Sequence, residues 1–152
     1  RLIIAGDGPE RENIQAYIKE YKLENRITLL GYLNQNDIRE NIRKCRFVTV
    51  PSICFENCPY SILETMEIGK PIIGSKIGGI PELVKDDVNG YTYAYDCVDD
   101  LTDKLKILFE NDEKVNEFSN NSKRLYKENY SAEAYYNKLM TVYNKYINTD
   151  KE

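Results

Sequence analysis

Up to Ala94 the chain alternates short apolar runs with stretches of helical periodicity. The runs Leu2–Ala5, Ile27–Leu30, Phe47–Val50, Ile72–Ser75 and Tyr91–Ala94 predict strands, the first of them fully buried. Between them, Ile14, Ile18, Tyr21 and Leu23 mark the apolar side of one helix, and Ile38 and Ile42 that of a second, capped by Asn34 or Asn36. Ile62, Leu63 and Met66 mark a third helix, and Glu82–Lys85 reads as a short fourth. Strand–helix alternation with short connections predicts an α/β domain, a Rossmann-like parallel sheet with right-handed crossovers and helices on its faces.

Proline and glycine punctuate the third unit. The β-branched run stops at Pro51, and Pro59 opens a helix, since its fixed φ suits a first turn that does not need its N–H. Gly69 ends that helix near Ile68, and Pro71 opens the next strand. Earlier, Gly6-Asp7-Gly8-Pro9 turns the first strand into a helix with Pro9 near its first position. From Val98 the pattern is helical only. Leu101, Leu105, Ile107 and Leu108 give one helix; Val115, Phe118 and Leu125 a second; Ser131 caps a third. The third carries Tyr135, Tyr136, Tyr143 and Tyr146, a spacing read as core and rim. No linker interrupts residues 1–148, which read as one domain, and 149–152 is a polar tail.

Composition narrows the chemistry. A formal charge of −4 gives no reason to expect a nucleic-acid partner, and it is uneven: residues 52–100 hold nine acidic and three basic side chains. There is no histidine, which removes His-based acid–base pairs and His metal ligands. Four cysteines, with no CxxC among them, make neither a zinc site nor a disulfide framework, so a reducing cytoplasmic location is expected. No run of about 18 apolar residues is present to span a membrane. Arg1 leads straight into an apolar strand, which suggests a segment cut from a longer protein.

Ligands of open parallel sheets lie beyond the carboxyl ends of the strands. The candidates there are Gly6 to Gly8, Gly31 to Leu33, Ile53 to Tyr60 and Ser75 to Gly79. Glu56 lies on the loop after the third strand and Glu64 near the middle of the following helix, whose first amides point into the space Glu56 occupies. Amides and helix dipole suit phosphate, and carboxylates accept from sugar hydroxyls. The GxG at Gly6 and Gly8 invites a dinucleotide reading, but Arg11 stands where a third glycine is needed and no acidic residue closes the next strand.

Glu56, Glu64-Thr65-Met66, Gly69-Lys70-Pro71 and Gly78-Gly79-Ile80-Pro81-Glu82, in that order and spacing, resemble the donor-binding signature of retaining glycosyltransferases with the GT-B fold. The resemblance implies the C-terminal, nucleotide-sugar-binding half of such an enzyme. That enzyme transfers a hexose from a UDP- or GDP-type donor to an acceptor hydroxyl, in surface polysaccharide or glycolipid synthesis, with no essential metal and no cofactor beyond the donor. Glu64 is similar to the glutamate that accepts from ribose hydroxyls, and Glu56 to the one that meets the donor sugar near the reacting carbon. The amides of Cys58, Tyr60 and Ser61 become candidates for phosphate and sugar contacts. Gly31, Tyr32 and Leu33 become candidates for the base edge, and Gly6 and Gly8 belong to the nucleotide unit. Where the family often has glycine and an aromatic, Asn57 and Cys58 stand here, which leaves the sugar open. The resemblance also implies a partner domain that binds the acceptor, an Arg and a Lys that offset the pyrophosphate charge, and any peripheral membrane contact, all outside these residues. Such a fragment alone is expected to be inactive. The rival readings are a non-catalytic nucleotide-binding module, a nicotinamide-dependent enzyme, and a GT-B-type epimerase of nucleotide sugars.

Overall fold

The computed structural model describes residues 1–147, so the reading of a polar tail falls outside the described residues. By internal contacts the chain divides into two compact units, Arg1–Asn41 and Ile42–Glu152. The element order is β1 (Leu2–Ala5), α1 (Arg11–Glu20), β2 (Ile27–Gly31), α2 (Gln35–Lys44), β3 (Val48–Val50), α3 (Tyr60–Ile68), β4 (Ile72–Ser75), α4 (Ile80–Leu83), β5 (Gly90–Tyr93), α5 (Val98–Glu110), α6 (Asp112–Leu125) and α7 (Ala132–Ile147), with a π-helical turn over Tyr126–Tyr130 between the last two. Every strand pairing is parallel, as expected of an α/β fold.

In the first unit β1 pairs with β2, Leu2 opposite Ile27 and Ala5 opposite Gly31. Asn34, not Asn36, caps α2: its side-chain oxygen accepts from the Asp37 N–H at 2.9 Å. Helix α1 begins at Arg11, with Glu10 as its cap, so Pro9 lies before the helix rather than at its first position. The expectation that β1 is fully buried fails. Leu2 and Ile3 are about half exposed, because β1 has only β2 beside it among the described residues.

The second unit is built on β4, with β3 on one side and β5 on the other. All four residues of β4 are buried. Its alternation sends Ile72 into a cluster with Ile62, Met66, Ile80 and Val84 from α3 and α4, and Ile73 into another with Tyr91, Leu108 and Phe118 from β5, α5 and α6. Helix α6 serves both: Phe118 belongs to the second cluster, Leu125 to the first. The π-turn, closed by the Ser131 N–H donating to the Tyr126 carbonyl at 2.9 Å, lays Tyr126 and Tyr130 against the first cluster. Buried Ser122 donates to the Lys70 carbonyl at 3.0 Å, tying α6 to the end of α3.

One other expectation changes. No residue of α7 is buried, and Tyr135, Tyr136, Tyr143 and Tyr146 are each more than half exposed, so they are not core within this unit. Asp86 and Asp87 brace β5. Asp86 accepts from the Thr92 N–H at 2.5 Å, and Asp87 accepts from the Tyr91 hydroxyl at 2.7 Å and the Lys114 ammonium at 2.8 Å.

Asn89 is wholly buried and satisfied twice, accepting from the Lys85 N–H at 2.7 Å and donating to the Leu83 carbonyl at 3.0 Å. Asn89→Ala orphans both backbone groups and is expected to lower the free energy of urea unfolding by about 1–3 kcal/mol per orphaned group. The bonds from Lys114 and Tyr91 hold the Asp87 carboxyl below the usual carboxylate range. A depressed acid stabilises the fold above its unfolded pKa and loses that contribution as acid protonates it. Thermal unfolding should therefore separate Asp87→Asn from the parent modestly at neutral pH, with the gap closing as pH falls below about 4.

Candidate functional site

The carboxyl ends of β3 and β4 carry the loops that matter in the second unit. After β3 the chain runs through Pro51–Pro59 and enters α3, with Pro59 as an extended N-cap and no side chain capping the helix. The Ile62 N–H donates to the Pro59 carbonyl at 3.0 Å. Cys58, Tyr60 and Ser61 precede that bond at an exposed helix start. Gly69 ends α3 with φ +82°, its N–H shared between the Thr65 and Met66 carbonyls.

Burial fixes which way α3 turns. Ile62, Thr65 and Met66 are buried, while Tyr60 and Glu67 are exposed and Glu64 is half-buried. Tyr60 and Glu64 are one turn apart, so Glu64 lies on the outward face that begins at the helix start. Glu56 is exposed on the loop before it, beside exposed Ile53, Phe55, Asn57 and Cys58.

The position of Glu56 is over-determined by its neighbours. Its carbonyl accepts from the Gly79 N–H at 2.8 Å. Its carboxylate accepts from the Ser52 hydroxyl at 3.1 Å. The Ser52 carbonyl in turn accepts from the hydroxyl of buried Ser75 at 2.5 Å. Gly78 and Gly79 permit this. Gly78 has φ +55° and a β-carbon there would meet the Glu56 backbone, while one on Gly79 would overlap the Asn57 carbonyl. The glycine pair is thus a seat for the glutamate loop rather than a flexible turn. Sequence reasoning missed Ser52, whose only signal was a hydroxyl residue just beyond β3, and it placed Ser75 among the candidates without its bond to Ser52.

Cations are scarce in this part of the chain. Lys70 donates to the Cys45 carbonyl at 2.7 Å and Lys85 to the Pro81 carbonyl at 3.1 Å. Of the three basic side chains in 52–100, only the exposed Lys76 has no side-chain bond assigned to it. No group of three or more metal-ligating side chains is found among the described residues. Burial pushes the Cys45 thiol up and, with it, any tendency to ionise down.

The first unit brings its own candidates together. Gly6 and Gly31 meet where the strands end, the Gly6 N–H donating to the Gly31 carbonyl at 2.8 Å. Gly8 follows in the same turn, with its N–H on the Asp7 carboxylate at 2.9 Å. Leu33 is half-buried, and Tyr32 is 85% exposed, so its ring has no packing partner in the unit. Arg11, unremarked in the sequence except as a missing glycine, lays its guanidinium over Gly31, where the φ of +68° favours glycine. A cavity of about 260 Å³ opens beside Gly6, Gly8, Arg11 and Leu29. A larger hollow of about 430 Å³ over Gln15, Lys19 and Glu24 reaches Ile27 at the amino end of β2, where parallel sheets do not bind ligands.

The family model described as Glycosyl transferases group 1 matches residues 1–125. Among similar proteins are the N-acetyl-alpha-D-glucosaminyl L-malate synthase of Bacillus anthracis, 26% identical over 99% of the chain and 39% of the relative, and the alpha-D-kanosaminyltransferase of Streptomyces kanamyceticus, 26% identical over 94% and 37%. The structure of Anabaena HepE in complex with UDP superimposes with a TM-score of 0.84 at 24% identity, covering 94% of this chain and 40% of that one, and so shares its fold. The chain therefore spans well under half the length of these relatives.

The seat under Glu56 is open to test. Gly79→Ala should displace the loop, speeding hydrogen exchange at amides 54–58 while Ile72 and Ile73 in the buried strand stay protected.

Proposed function

The chain belongs to the glycosyl transferases group 1 family, and from that premise we propose that it is the donor-binding part of a retaining glycosyltransferase. The whole enzyme moves a hexose from a nucleoside diphosphate sugar, of the UDP or GDP type, to an acceptor hydroxyl in surface polysaccharide or glycolipid assembly. The observation that carries this reading is the fixed, solvent-facing Glu56 set before an uncapped helix start, with Glu64 on the outward face of the same helix.

In this scheme the start of α3 receives phosphate oxygens at the amides of Tyr60 and Ser61, with Asn57 and Cys58 lining the approach. Pro59 donates nothing, so the first amides available there are those around it. Glu56 accepts from donor-sugar hydroxyls and sets the reacting carbon; Glu64 accepts from the ribose. The reaction needs no cofactor or metal from this chain. Charge building on the leaving diphosphate calls for cations beyond the 52–100 segment, which supports a catalytic unit larger than these residues. No helix among the described residues is long and apolar enough to cross a membrane.

Calorimetry should find binding of uridine or guanosine diphosphate and none of NAD. In the full-length protein Glu64→Ala should weaken that nucleotide by about tenfold, the scale of one hydrogen bond to a charged group. Glu56→Ala should lower donor turnover by about a hundredfold or more. The isolated 152-residue chain should show no transfer. Full donor turnover in Glu56→Ala would return the chain to a nucleotide-binding module.

A further inference from the structure

We propose that Ser52 is the positioning residue for Glu56, and that its hydroxyl sets the donor-sugar geometry without touching the donor. The inference rests on the reading of Glu56 given above.

A serine hydroxyl has one proton to give and two lone pairs to accept with. Two acceptors lie within reach of the Ser52 hydroxyl, the Glu56 carboxylate at 3.1 Å and the Cys54 carbonyl at 3.4 Å. The Cys54 N–H donates to the same hydroxyl at 3.3 Å. The proton goes to the nearer and charged acceptor, because a hydrogen bond to a carboxylate is roughly twice as strong as one to a neutral carbonyl. Accepting from Cys54 polarises the hydroxyl in the direction that strengthens this donation.

The hydroxyl is itself anchored. Ser75 ends the buried central strand and holds the Ser52 carbonyl at 2.5 Å, so the serine is tied to a strand that is buried along its whole length. The Glu56 main chain is fixed separately by Gly79. Gly79 therefore decides where the residue is, and Ser52 decides where its carboxylate points. An exposed glutamate without that bond spreads over several rotamers, and only some present an oxygen to a sugar hydroxyl. The start of α3 keeps its own geometry through the Ile62 N–H and Pro59. Loss of the Ser52 hydroxyl should thus spare nucleotide binding and impair the step that depends on the sugar.

The test uses the full-length protein, with UDP and GDP as binding probes and hydrolysis of UDP-glucose and GDP-mannose as the turnover assay, so that no acceptor need be known. Ser52→Ala should lower kcat about tenfold while the nucleoside diphosphate Kd stays within about twofold, as expected for one bond to a charged group lost at the sugar alone. Ser52→Thr, which retains the hydroxyl, should recover most of the rate. Ser52→Cys, similar in volume but a weak donor, should behave like alanine and serves if the alanine variant does not fold. An unchanged kcat in Ser52→Cys, equal losses in kcat and nucleotide affinity, or no recovery in Ser52→Thr each overturns the proposal. Glu56→Ala run alongside separates the two failures: full turnover there removes the reading of Glu56 itself, whereas lost turnover there with normal Ser52 variants removes only the role of Ser52.

Discussion

One backbone-on-backbone contact governs the second unit's candidate site. The loop after β4 lies against the loop after β3 so closely that side chains at Gly78 and Gly79 would collide with the main chain of Glu56 and Asn57. The contact delivers the Gly79 N–H to the Glu56 carbonyl. A hydrogen bond of this kind contributes only about 1 kcal/mol net, yet its geometric consequence is larger. It ties an exposed loop, which would otherwise sample many conformations, to the carboxyl end of a strand that is wholly buried.

That strand can act as an anchor because both its faces are covered. Ile72 and Ile73 point to opposite clusters, and the helices that form them come from both sides of the strand in sequence: α3 from before it, α4, α5 and α6 from after it. Each fully buried isoleucine is worth about 1.5–3 kcal/mol in transfer alone. Rigidity generated in the core thus reaches the surface through two short polar links, Ser75 to Ser52 and Gly79 to Glu56. The site is placed by the core but built from loops, the usual division of labour in parallel α/β folds.

How far this was readable depends on the kind of signal. Element boundaries were legible where proline fixes φ and glycine admits a positive one: Pro51, Pro59, Gly69 and Pro71 bracket β3, α3 and β4. The glutamate spacing and the glycine pair were legible as a motif, although not the reason for the glycines. Burial was not legible for β1 or α7, since apolar periodicity says which face seeks cover and not whether cover is present. The Asp87–Lys114 bond joins residues far apart in sequence, and the π-turn at Tyr126–Tyr130 has no compositional mark. Ser52 escaped notice, and Ser75 was a candidate without a partner, because single hydroxyl residues at strand ends are common and only three-dimensional proximity gives them meaning.

Electrostatics sets the division between what this segment does and what it leaves to others. Nine carboxylates against three cations in residues 52–100 would repel a diphosphate over most of that surface. Two of the cations are engaged with backbone carbonyls, at Cys45 and Pro81. The start of α3, just after Glu56, adds a positive potential equivalent to about half a charge, which falls off within a turn. Half a charge orients a phosphate but cannot neutralise a departing diphosphate. Carboxylates, by contrast, are what polyhydroxylated sugars need, as acceptors for hydroxyl protons. On the proposed reading, the segment would be matched to the sugar and ribose of a donor and mismatched to its diphosphate except at one point. A donor held there would be oriented tightly at its neutral parts and loosely at its charged one, and cleavage of the sugar–phosphate bond would need cations from outside residues 52–100.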